Sequence, residues 1–399
     1  MSDWPHQASP PATEVKTAAA AAILAARPAI IALSHRIHAN PEVAFEEHQA
    51  ASDVADALRE HGYTVQIPVA GLATAVLGTM DGRAGEGSTV AVLAEYDALP
   101  GLGHGCGHNL MAAAGVGAAI GLAAVIDQLP GTVVVMGTPA EESGSAKGTM
   151  VAAGMFDGVD AALQFHPSDV TDSCCALLAL DDVDVTYTGV EAHAAEEPWM
   201  GRNALDAMTM LLVGVGLWRQ QLRPNTRVHG VVVEGGDAPN TIPSLTRARF
   251  MLRADREADL DDLGVRFRQI AEAAGVSAGC TSRVEFSGRS QTMRDNEILR
   301  AAFVRNLEAN GEPDGCDGTA VSRGSSDMGN VSHVVPTIHP EIAMCPAGTP
   351  AHSVAFREAS VTPRADDIAM LAAVVTAQTA IDVLLDPGMV PAAWAEFNS

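Results

Sequence analysis

The sequence has little positive charge. Its 399 residues include 24 lysines and arginines against 49 aspartates and glutamates, which gives a formal net charge of −25 at pH 7. A surface of this sign repels the phosphates of nucleic acids and of anionic membranes, so we expect neither as a partner. The charge favours solubility and carries little information about the fold.

We expect neither a secretory leader nor a membrane-spanning apolar run in this sequence. Residues 1–14 are polar and contain proline, without the basic and apolar regions of a signal peptide. The longest apolar runs further along contain glycine or proline, and we expect them to fall short of the roughly 20 residues of a membrane span. These absences predict a soluble cytoplasmic protein.

Cysteine is scarce, with six residues in the chain. That is too few for the disulfide framework of a small secreted domain, and the neighbouring Cys174 and Cys175 are predicted to be buried thiols. Cys106 differs from the others because it lies in a glycine-rich loop with two histidines, GLGHGCGH at residues 101–108.

The length of the chain suggests about two domains, and its 47% of hydrophobic residues suffices for a large core. Residues 15–60 predict two helices around a turn at Asn40 and Pro41. Apolar runs and helical segments then alternate as far as His166, which predicts an α/β fold with a largely parallel sheet. The predicted strands are 63–67, 72–77, 90–93, 132–138 and 161–165, and the predicted helices are 109–126 and 147–153.

The pattern of the sequence changes near residue 181. Strands and helices are now predicted in the order β-α-β-β-α-β, which is the order of the split, ferredoxin-like unit. After Asp295 the earlier pattern resumes. We therefore predict one α/β domain formed by residues 1–181 and 294–399, interrupted by an inserted α+β domain at 182–293. The predicted elements of the insertion are 182–188, 203–222, 228–234, 246–252, 258–274 and 281–287.

Cys106 and His108 are the first candidates for chemistry. Glycine occupies every second position from 101 to 107, so the loop can fold tightly and present both side chains to one point. Thiolate and imidazole bind borderline metals such as zinc. A buried thiol beside a hydrogen-bonded histidine is the alternative. A dinucleotide-binding loop is disfavoured because Cys106 stands at the sixth position of G-x-G-x-x-G.

Glu141 and Glu142 follow the apolar strand predicted at 132–138. The ends of such strands are where α/β sheets build their sites. Two adjacent carboxylates repel each other in a partly buried place unless a cation lies between them. One of them would then bind a metal, and the other would accept a proton from water. Two solvated acids on an exposed loop are the alternative.

His166 follows a predicted strand, and His352 lies in a turn-rich segment. Each histidine alone is more often a polar packing residue than a ligand. With Cys106, His108 and Glu142, however, they offer five nitrogen, oxygen and sulfur ligands beside one spare carboxylate. That set matches a two-metal site better than a structural zinc, which normally has four closely spaced ligands.

With these residues assembled, the chain resembles the aminoacylase/carboxypeptidase-type metallopeptidase family. It is most similar to the amidohydrolase branch that contains hippurate hydrolases, indole-acetyl-amino-acid hydrolases and aminobenzoyl-glutamate hydrolase subunits. The matches extend in order over nearly the whole chain. The matching stretches are 38–42 (HANPE), 45–47 (FEE), 97–100 (DALP), 104–109 (HGCGHN), 138–142 (TPAEE), 165–167 (FHP), 192–195 (AHAA), 239–243 (PNTIP), 325–330 (SSDMGN) and 350–353 (PAHS).

The resemblance implies a zinc-exopeptidase-like catalytic domain, with the inserted ferredoxin-like domain as a lid and dimerisation module. A homodimer is therefore expected. The resemblance also implies two divalent metal ions, zinc, manganese or cobalt, with Cys106 bridging them and Glu141 as general base. The implied metal ligands are Cys106, His108, Glu142, His166 and His352.

One departure from the family pattern bears on the substrate. Most hippurate-type members have aspartate after Cys-Gly-His, whereas this chain has Asn109. In having asparagine at this position, the chain is similar to the aminobenzoyl-glutamate hydrolase and mammalian dipeptidase-like branch. The implied reaction is metal-dependent hydrolysis of the amide bond of a small molecule, either an N-acyl amino acid or an unusual dipeptide. The acyl group and the released amino acid stay open.

The implied mechanism assigns further residues. Glu141 would take a proton from water and deliver it to the leaving amine. His193, from the inserted domain of the same or a second subunit, would donate a hydrogen bond to the oxyanion. Asn240 would bind backbone-like groups of the substrate, and Arg253 a substrate carboxylate. A surface histidine, a turn asparagine and a strand-end arginine are the respective alternatives.

Two other functions compete with metal-dependent hydrolysis. Cys106 could act as a nucleophile paired with a histidine, without a metal. The chain could also be a catalytically silent member of the family that serves as a binding or regulatory subunit. The surplus of ligands disfavours the first function, and the presence of Glu141 beside a full ligand set disfavours the second.

Overall fold

Pro28 divides the N-terminal helical stretch of the chain. In the computed structural model, which describes residues 10–318 and 324–399, one helix ends at Ala25 and the next begins at Arg27 with proline in its first turn. Proline is well tolerated at that position and poorly inside a helix. Residues 15–60 therefore belong to three helices, and the prediction of two was wrong. Residues 1–9 and 319–323 of the predicted catalytic domain lie outside the described part.

Helices and strands alternate through residues 10–176, as the apolar pattern predicts. The second strand begins later than predicted, because residues 72–75 form a turn. The helices are α1 (Pro10–Ala25), α2 (Arg27–Ala39), α3 (His48–Glu60), α4 (His108–Ala124), α5 (Glu141–Gly144) and α6 (Ala146–Ala152). The strands are β1 (Thr64–Gln66), β2 (Val76–Asp81), β3 (Thr89–Glu95), β4 (Thr132–Thr138), β5 (Ala161–Leu163) and β6 (His166–Ser168).

The next segment contains a four-stranded antiparallel sheet and two helices. Its strands are β7 (Ala179–Thr188), β8 (Ala192–His193), β9 (Arg227–Glu234), β10 (Thr241–Ile242), β11 (Leu245–Ala254) and β12 (Thr281–Ser290), and its helices are α7 (Ala204–Trp218) and α8 (Glu257–Ser277). The sheet order is β12-β7-β11-β9, and β8 pairs with β10 separately. The main elements follow one another as β-α-β-β-α-β, and their apolar faces form a core of their own.

The C-terminal segment returns to the first core. Its helices are α9 (Glu297–Ala309), α10 (Met328–Ser332), α11 (Val354–Ala359), α12 (Pro363–Leu385) and α13 (Met389–Phe397), and its strands are β13 (Thr337–Ile338) and β14 (Glu341–Ala343). The described residues divide into two compact units. Unit 1 contains 10–176, 293–318 and 330–399, and unit 2 contains 177–292 and 324–329. The predicted boundaries were 181/182 and 293/294. Strand β7 begins at Ala179, before residue 182, where the alternation of polar and apolar residues in the sequence begins.

The main sheet of unit 1 brings several strand ends to one edge. Its order is β1-β2-β4-β3-β5-β13. The pairings of β3 with β4, of β3 with β5 and of β5 with β13 are parallel, whereas β1 and β2 are antiparallel additions. The sheet is therefore mixed, and the α/β fold is as predicted. The carboxyl ends of β3, β4, β5 and β13 share one edge, where α/β sheets place their sites.

Two apolar helices, α4 and α12, lie in the core of unit 1. Helix α12 has the length and composition of a membrane span, so the prediction that no run reaches that length was wrong. However, 78% of its apolar window is buried inside the fold, and a core helix has the same character. Helices α1 and α2 together also pass this test as a pair bent by 58°.

One cysteine prediction needs correction. Cys174 forms a disulfide with Cys316, while Cys175 keeps a free thiol. The two bonded residues are 142 positions apart in the sequence, and their Cα atoms lie 5.7 Å apart. Only the fold brings them within bonding distance. The pairing could therefore not be derived from local sequence.

Candidate metal centre

Gly107 forms the backbone turn between Cys106 and His108, the two ligand candidates of the glycine-rich loop. It has a φ of +80°, a conformation that side chains other than glycine rarely adopt, and it immediately precedes α4. A Cβ atom at this position would lie 2.8 Å from Cγ of Pro167. The loop can therefore turn tightly here, so that His108 begins α4 and Cys106 precedes the turn. The Cys106 Sγ lies 3.5 Å from Nε2 of His166.

Strained backbone marks two other parts of the centre. Ala140, just before Glu141 and Glu142, has a φ of +55°, and His352 has a φ of +57°. The backbone N–H of His352 donates to the carbonyl of Gly105 at 3.0 Å, which fastens the last ligand candidate to the glycine-rich loop. Left-handed non-glycine residues are costly and concentrate at functional sites.

The five predicted ligands come together in two overlapping groups. Within each group, one ligand atom from each residue lies within 4.8 Å of the others. The first group is Cys106, His108 and His166, and the second is Cys106, Glu142 and His352. The Glu142 Oε1 is 3.5 Å from Nε2 of His352 and 3.9 Å from Nε2 of His108. Cys106 belongs to both groups, so its sulfur lies between two potential cation positions.

The donor atoms fit a divalent metal. Both Nε2 of His108 and Oε1 of Glu142 are buried and have no hydrogen-bond partner among the described residues. A buried polar atom without a partner costs roughly 1–3 kcal/mol, which a shared cation would offset. The Nδ1 of His166 donates to the Pro167 carbonyl at 2.8 Å, so its Nε2 is left to bind a metal. Imidazole, thiolate and carboxylate together suit borderline divalent ions.

Asp97 holds two of the ligand candidates at once. Its Oδ1 accepts a hydrogen bond from Nδ1 of His108 at 3.0 Å, which turns Nε2 of that ring toward the ligand cluster. Its Oδ2 accepts from the backbone N–H of Glu142 at 2.9 Å. Such partners fix the orientation of ligands and raise their basicity.

Glu141 lies beside the ligand cluster. One of its carboxylate oxygens forms a group with ligand atoms of His108 and Glu142, all within 4.8 Å of one another. Glu141 and Glu142 are the first residues of α5, directly after the end of β4 and the turn at Ala140. The spare carboxylate is therefore close to the metal positions while the neighbouring residue points at them.

Burial disfavours charge on several of these groups. It raises the pKa of Glu142 to about 7, and it lowers the pKa of His166 to about 4, with the nearby His108 adding to the effect. Burial also raises the pKa of the Cys106 thiol well above its ordinary value. Without a cation, Cys106 would therefore stay protonated, which disfavours a free thiolate nucleophile.

Three further residues lie around the cluster that the sequence did not assign to the ligand set. Glu95 ends β3 and forms a buried ion pair with Lys147 of α6. Burial alone would raise the pKa of Glu95, but the ammonium of Lys147 lowers it to about 2. His339 follows β13, and its ring centroid is 5.4 Å from that of His166. The position of Glu95 at a strand end was the available signal.

His193 lies in the small sheet of β8 and β10 in unit 2, and Asn240 is the turn residue just before β10. His193 pairs with Thr241, and the carbonyl of Asn240 accepts from the N–H of Ala194 at 2.9 Å. The backbone N–H groups of Ala195 and Glu196 both donate to Nδ1 of His193 at 3.2 Å. Because Nδ1 accepts, the neutral ring carries its proton on Nε2, which makes Nε2 a hydrogen-bond donor.

Arg253 lies apart from that pair, at the end of β11. It is half-buried, and its Nη1 donates to Oγ of Ser325 at 3.1 Å. The guanidinium therefore has a partner inside unit 2 and is not a freely exposed surface group.

Comparison with protein families gives one match that covers most of the chain. Residues 80–377 match the model of "Peptidase family M20/M25/M40". The Xaa-Arg dipeptidases of Mus musculus and Homo sapiens are 36% and 34% identical to this chain, each over 92% of it and 88% of their own length. One of the p-aminobenzoyl-glutamate hydrolase subunits of Escherichia coli is 33% identical over 71% of this chain and 62% of its own length.

Solved structures share the fold at lower identity. The aminobenzoyl-glutamate utilization protein of Klebsiella pneumoniae superposes with a TM-score of 0.72 at 20% identity, over 91% of this chain and 97% of its own. A dinuclear metal-binding peptidase of Bacillus subtilis gives a TM-score of 0.62 at 20% identity, over 88% and 99% of the two chains.

Proposed function

Because this chain belongs to peptidase family M20/M25/M40, we propose that it is a metal-dependent hydrolase of dipeptides or N-acyl amino acids. It would cleave the amide bond and release a free amino acid. The observation that carries this proposal is the pair of ligand groups that share Cys106, with Glu141 beside them. A structural zinc would need only one closed set of four ligands.

Two divalent ions, zinc, manganese or cobalt, would occupy the centre. His108 and His166 would hold one, Glu142 and His352 the other, and the Cys106 sulfur would lie between them. When bound, such a pair polarises a carbonyl and lowers the pKa of water toward neutrality. The side chain of His352 is 53% exposed, so the second position is open to substrate.

Glu141 would move the protons of the reaction. Its carboxylate would accept a proton from the attacking water and deliver it to the nitrogen of the leaving amine. Asp97 would hold His108 and Glu142 in place throughout, because its two oxygens bind both residues. Nothing in this sequence of proton transfers requires Cys106 to act as a nucleophile.

His193 would stabilise the oxyanion of the tetrahedral intermediate. The tautomer set by its two backbone contacts leaves Nε2–H as a donor, which is the group that this task needs. Asn240, in the turn before β10, would bind the backbone-like part of the substrate. Arg253 as the partner of a substrate carboxylate stays a prediction, and it would have to exchange or share its bond with Ser325.

The charge of the chain bears on the choice of substrate. A net charge of −25 raises the local concentration of cations and repels anions. Two relatives that match 92% of the chain are named Xaa-Arg dipeptidases, whereas the match to the aminobenzoyl-glutamate hydrolase subunit covers 71% of the chain. We therefore rank a dipeptide with a basic C-terminal residue above an anionic glutamate conjugate.

The proposed assembly is a homodimer formed through unit 2. Strand β9 is an edge strand, and its Val231, Val232 and Val233 are exposed. Unpaired apolar edges are sites of strand pairing between chains. Light scattering should therefore give twice the mass of the chain. A monomer that retains full activity would argue against a dimeric role for this edge.

Release of free amino acid from a panel of amides tests the function. The panel should contain dipeptides ending in arginine, lysine or leucine, together with hippurate and aminobenzoyl-glutamate. Each is incubated with protein as purified, after chelation, and after return of zinc, manganese or cobalt. We expect turnover of the basic dipeptides that disappears on chelation and returns with metal. Turnover that resists thorough removal of metal would contradict the proposal.

A further inference from the structure

Glu95 is a carboxylate of the metal centre that the predicted ligand set does not contain. It is the last residue of β3, and it is 1% exposed. One oxygen, Oε2, binds Lys147 and accepts a bond from Gln164 at 3.3 Å. The other oxygen, Oε1, lies 3.0 Å from Nε2 of His108.

The contact between Glu95 and His108 is not a hydrogen bond. Although the two atoms are 3.0 Å apart, Nε2 of His108 makes no hydrogen bond of acceptable geometry to any of the described residues. The Nδ1 of the ring is already bound by Asp97. Glu142 Oε1 lies 3.9 Å from the same Nε2, and it too has no hydrogen-bond partner within the part of the chain that the structure describes. The Glu95 oxygen and the His108 nitrogen therefore lie as close together as two ligands of one cation do, and Glu95 and His108 belong to one group of potential ligand atoms within 4.8 Å of one another.

Lys147 keeps the carboxylate of Glu95 in this position. Lysine occurs at only two places in the chain, and this one is fully buried. A buried ammonium is tolerated only with a close anionic partner. By binding Oε2, Lys147 leaves Oε1 directed at the neighbourhood of His108.

We propose that Glu95 is a ligand of the cation held by His108, with Lys147 as the residue that positions it. An additional carboxylate oxygen would favour harder ions, so manganese should gain relative to zinc. This inference rests on the proposed function, since it assumes that the centre binds metal. The competing explanation is that Glu95 and Lys147 form a buried ion pair that serves folding alone.

The metal affinity of variants in which Glu95 and Lys147 are replaced decides between these explanations. The double variant Glu95→Gln/Lys147→Met removes both charges together and so leaves no unpaired buried ion. We expect it to bind manganese at one of two sites at least about tenfold more weakly than the wild type, by calorimetry. The visible spectrum of the cobalt-loaded protein should also change, because the coordination number changes. Wild-type affinities at both sites with an unchanged cobalt spectrum would overturn the role of Glu95.

A second variant distinguishes the loss of a metal ligand from a folding defect. Glu95→Asp keeps the charge that pairs with Lys147 but withdraws the carboxylate by one methylene, and it should weaken manganese binding in the same direction. Asp295→Asn is the matched control, since Asp295 is a partly buried acid outside every ligand group found among the described residues. It should bind two ions as the wild type does. A wild type that binds no metal would overturn the proposed function as well, whereas two tight sites in both Glu95 variants would overturn this inference alone.

Discussion

The carboxylate of Glu141 is the spare acid of the centre, close to His108 and Glu142 but not needed to complete either ligand group. We predict that Glu141→Gln lowers kcat by about 10²- to 10⁴-fold, because the amide cannot accept the proton of water. The variant should still contain two metal ions per chain by elemental analysis. Glu60→Gln, an exposed acid at the end of α3, should keep full activity. A Glu141→Gln enzyme with wild-type kcat would contradict the role of general base.

Asp97 has a different task, since its two oxygens accept hydrogen bonds from His108 and from the backbone N–H of Glu142. We predict that Asp97→Ala weakens metal binding about 10- to 100-fold, because both ligands lose their fixed orientation. Calorimetric titration with zinc measures this change. Asp81→Ala is the control, because Asp81 is exposed and accepts a hydrogen bond from the half-buried Thr132 at the far end of β4. Equal metal affinity in the two variants would show that Asp97 does not orient the ligands.

At the scale of the elements, the turn into α4 depends on Gly107. An alanine here would adopt a left-handed backbone and also meet Pro167 at 2.8 Å. Gly101, in the same loop, has a similar φ of +73° but nothing within 4 Å of its virtual Cβ. We predict that Gly107→Ala lowers the free energy of unfolding by at least about 1 kcal/mol more than Gly101→Ala, in urea titrations. Equal losses would mean that backbone strain alone matters.

Much of the ligand placement could be predicted from the elements. Glu141, Glu142 and His166 follow apolar strands, and parallel strands bring such ends to one edge of a sheet. His352 follows no regular strand. It reaches the cluster because its backbone adopts a left-handed conformation and bonds to Gly105, neither of which leaves a trace in local sequence. For that residue only the family motif pointed to a ligand.

Long-range pairings explain most of what the sequence did not reveal. The bond between Cys174 and Cys316 and the ion pair of Glu95 with Lys147 join residues that are distant in the chain. The order of elements in unit 2 was predictable because each strand and helix carries its own periodicity. The pairing order β12-β7-β11-β9 then agrees with the expected ferredoxin-like arrangement.

The stability of the whole molecule should depend on the protonation of Asp295. Burial raises its pKa from 3.8 to about 7, with Glu396 and Glu297 adding to the effect and Arg300 opposing it. Because the pKa of the folded state is the higher one, the stability that this proton contributes is complete below about pH 4. It is lost as pH rises through about 7. We predict that Asp295→Asn is less sensitive to pH than the wild type between these values.

Urea unfolding of both proteins at pH 5 and pH 8 measures this difference, at constant ionic strength and without added metal. The variant should gain stability relative to the wild type as the pH is raised. A difference between the two proteins that is independent of pH would show that Asp295 is ionised in the folded state throughout this range.

Cys106 belongs to both ligand groups, so its sulfur would be shared by the two cations of the proposed centre. Anomalous scattering from a crystal of the zinc-loaded protein tests it most directly. We expect two ions per chain, both in contact with Cys106. His108 and His166 should bind one ion, and Glu142 and His352 should bind the other. A single ion, or a second ion that does not touch Cys106, would contradict it.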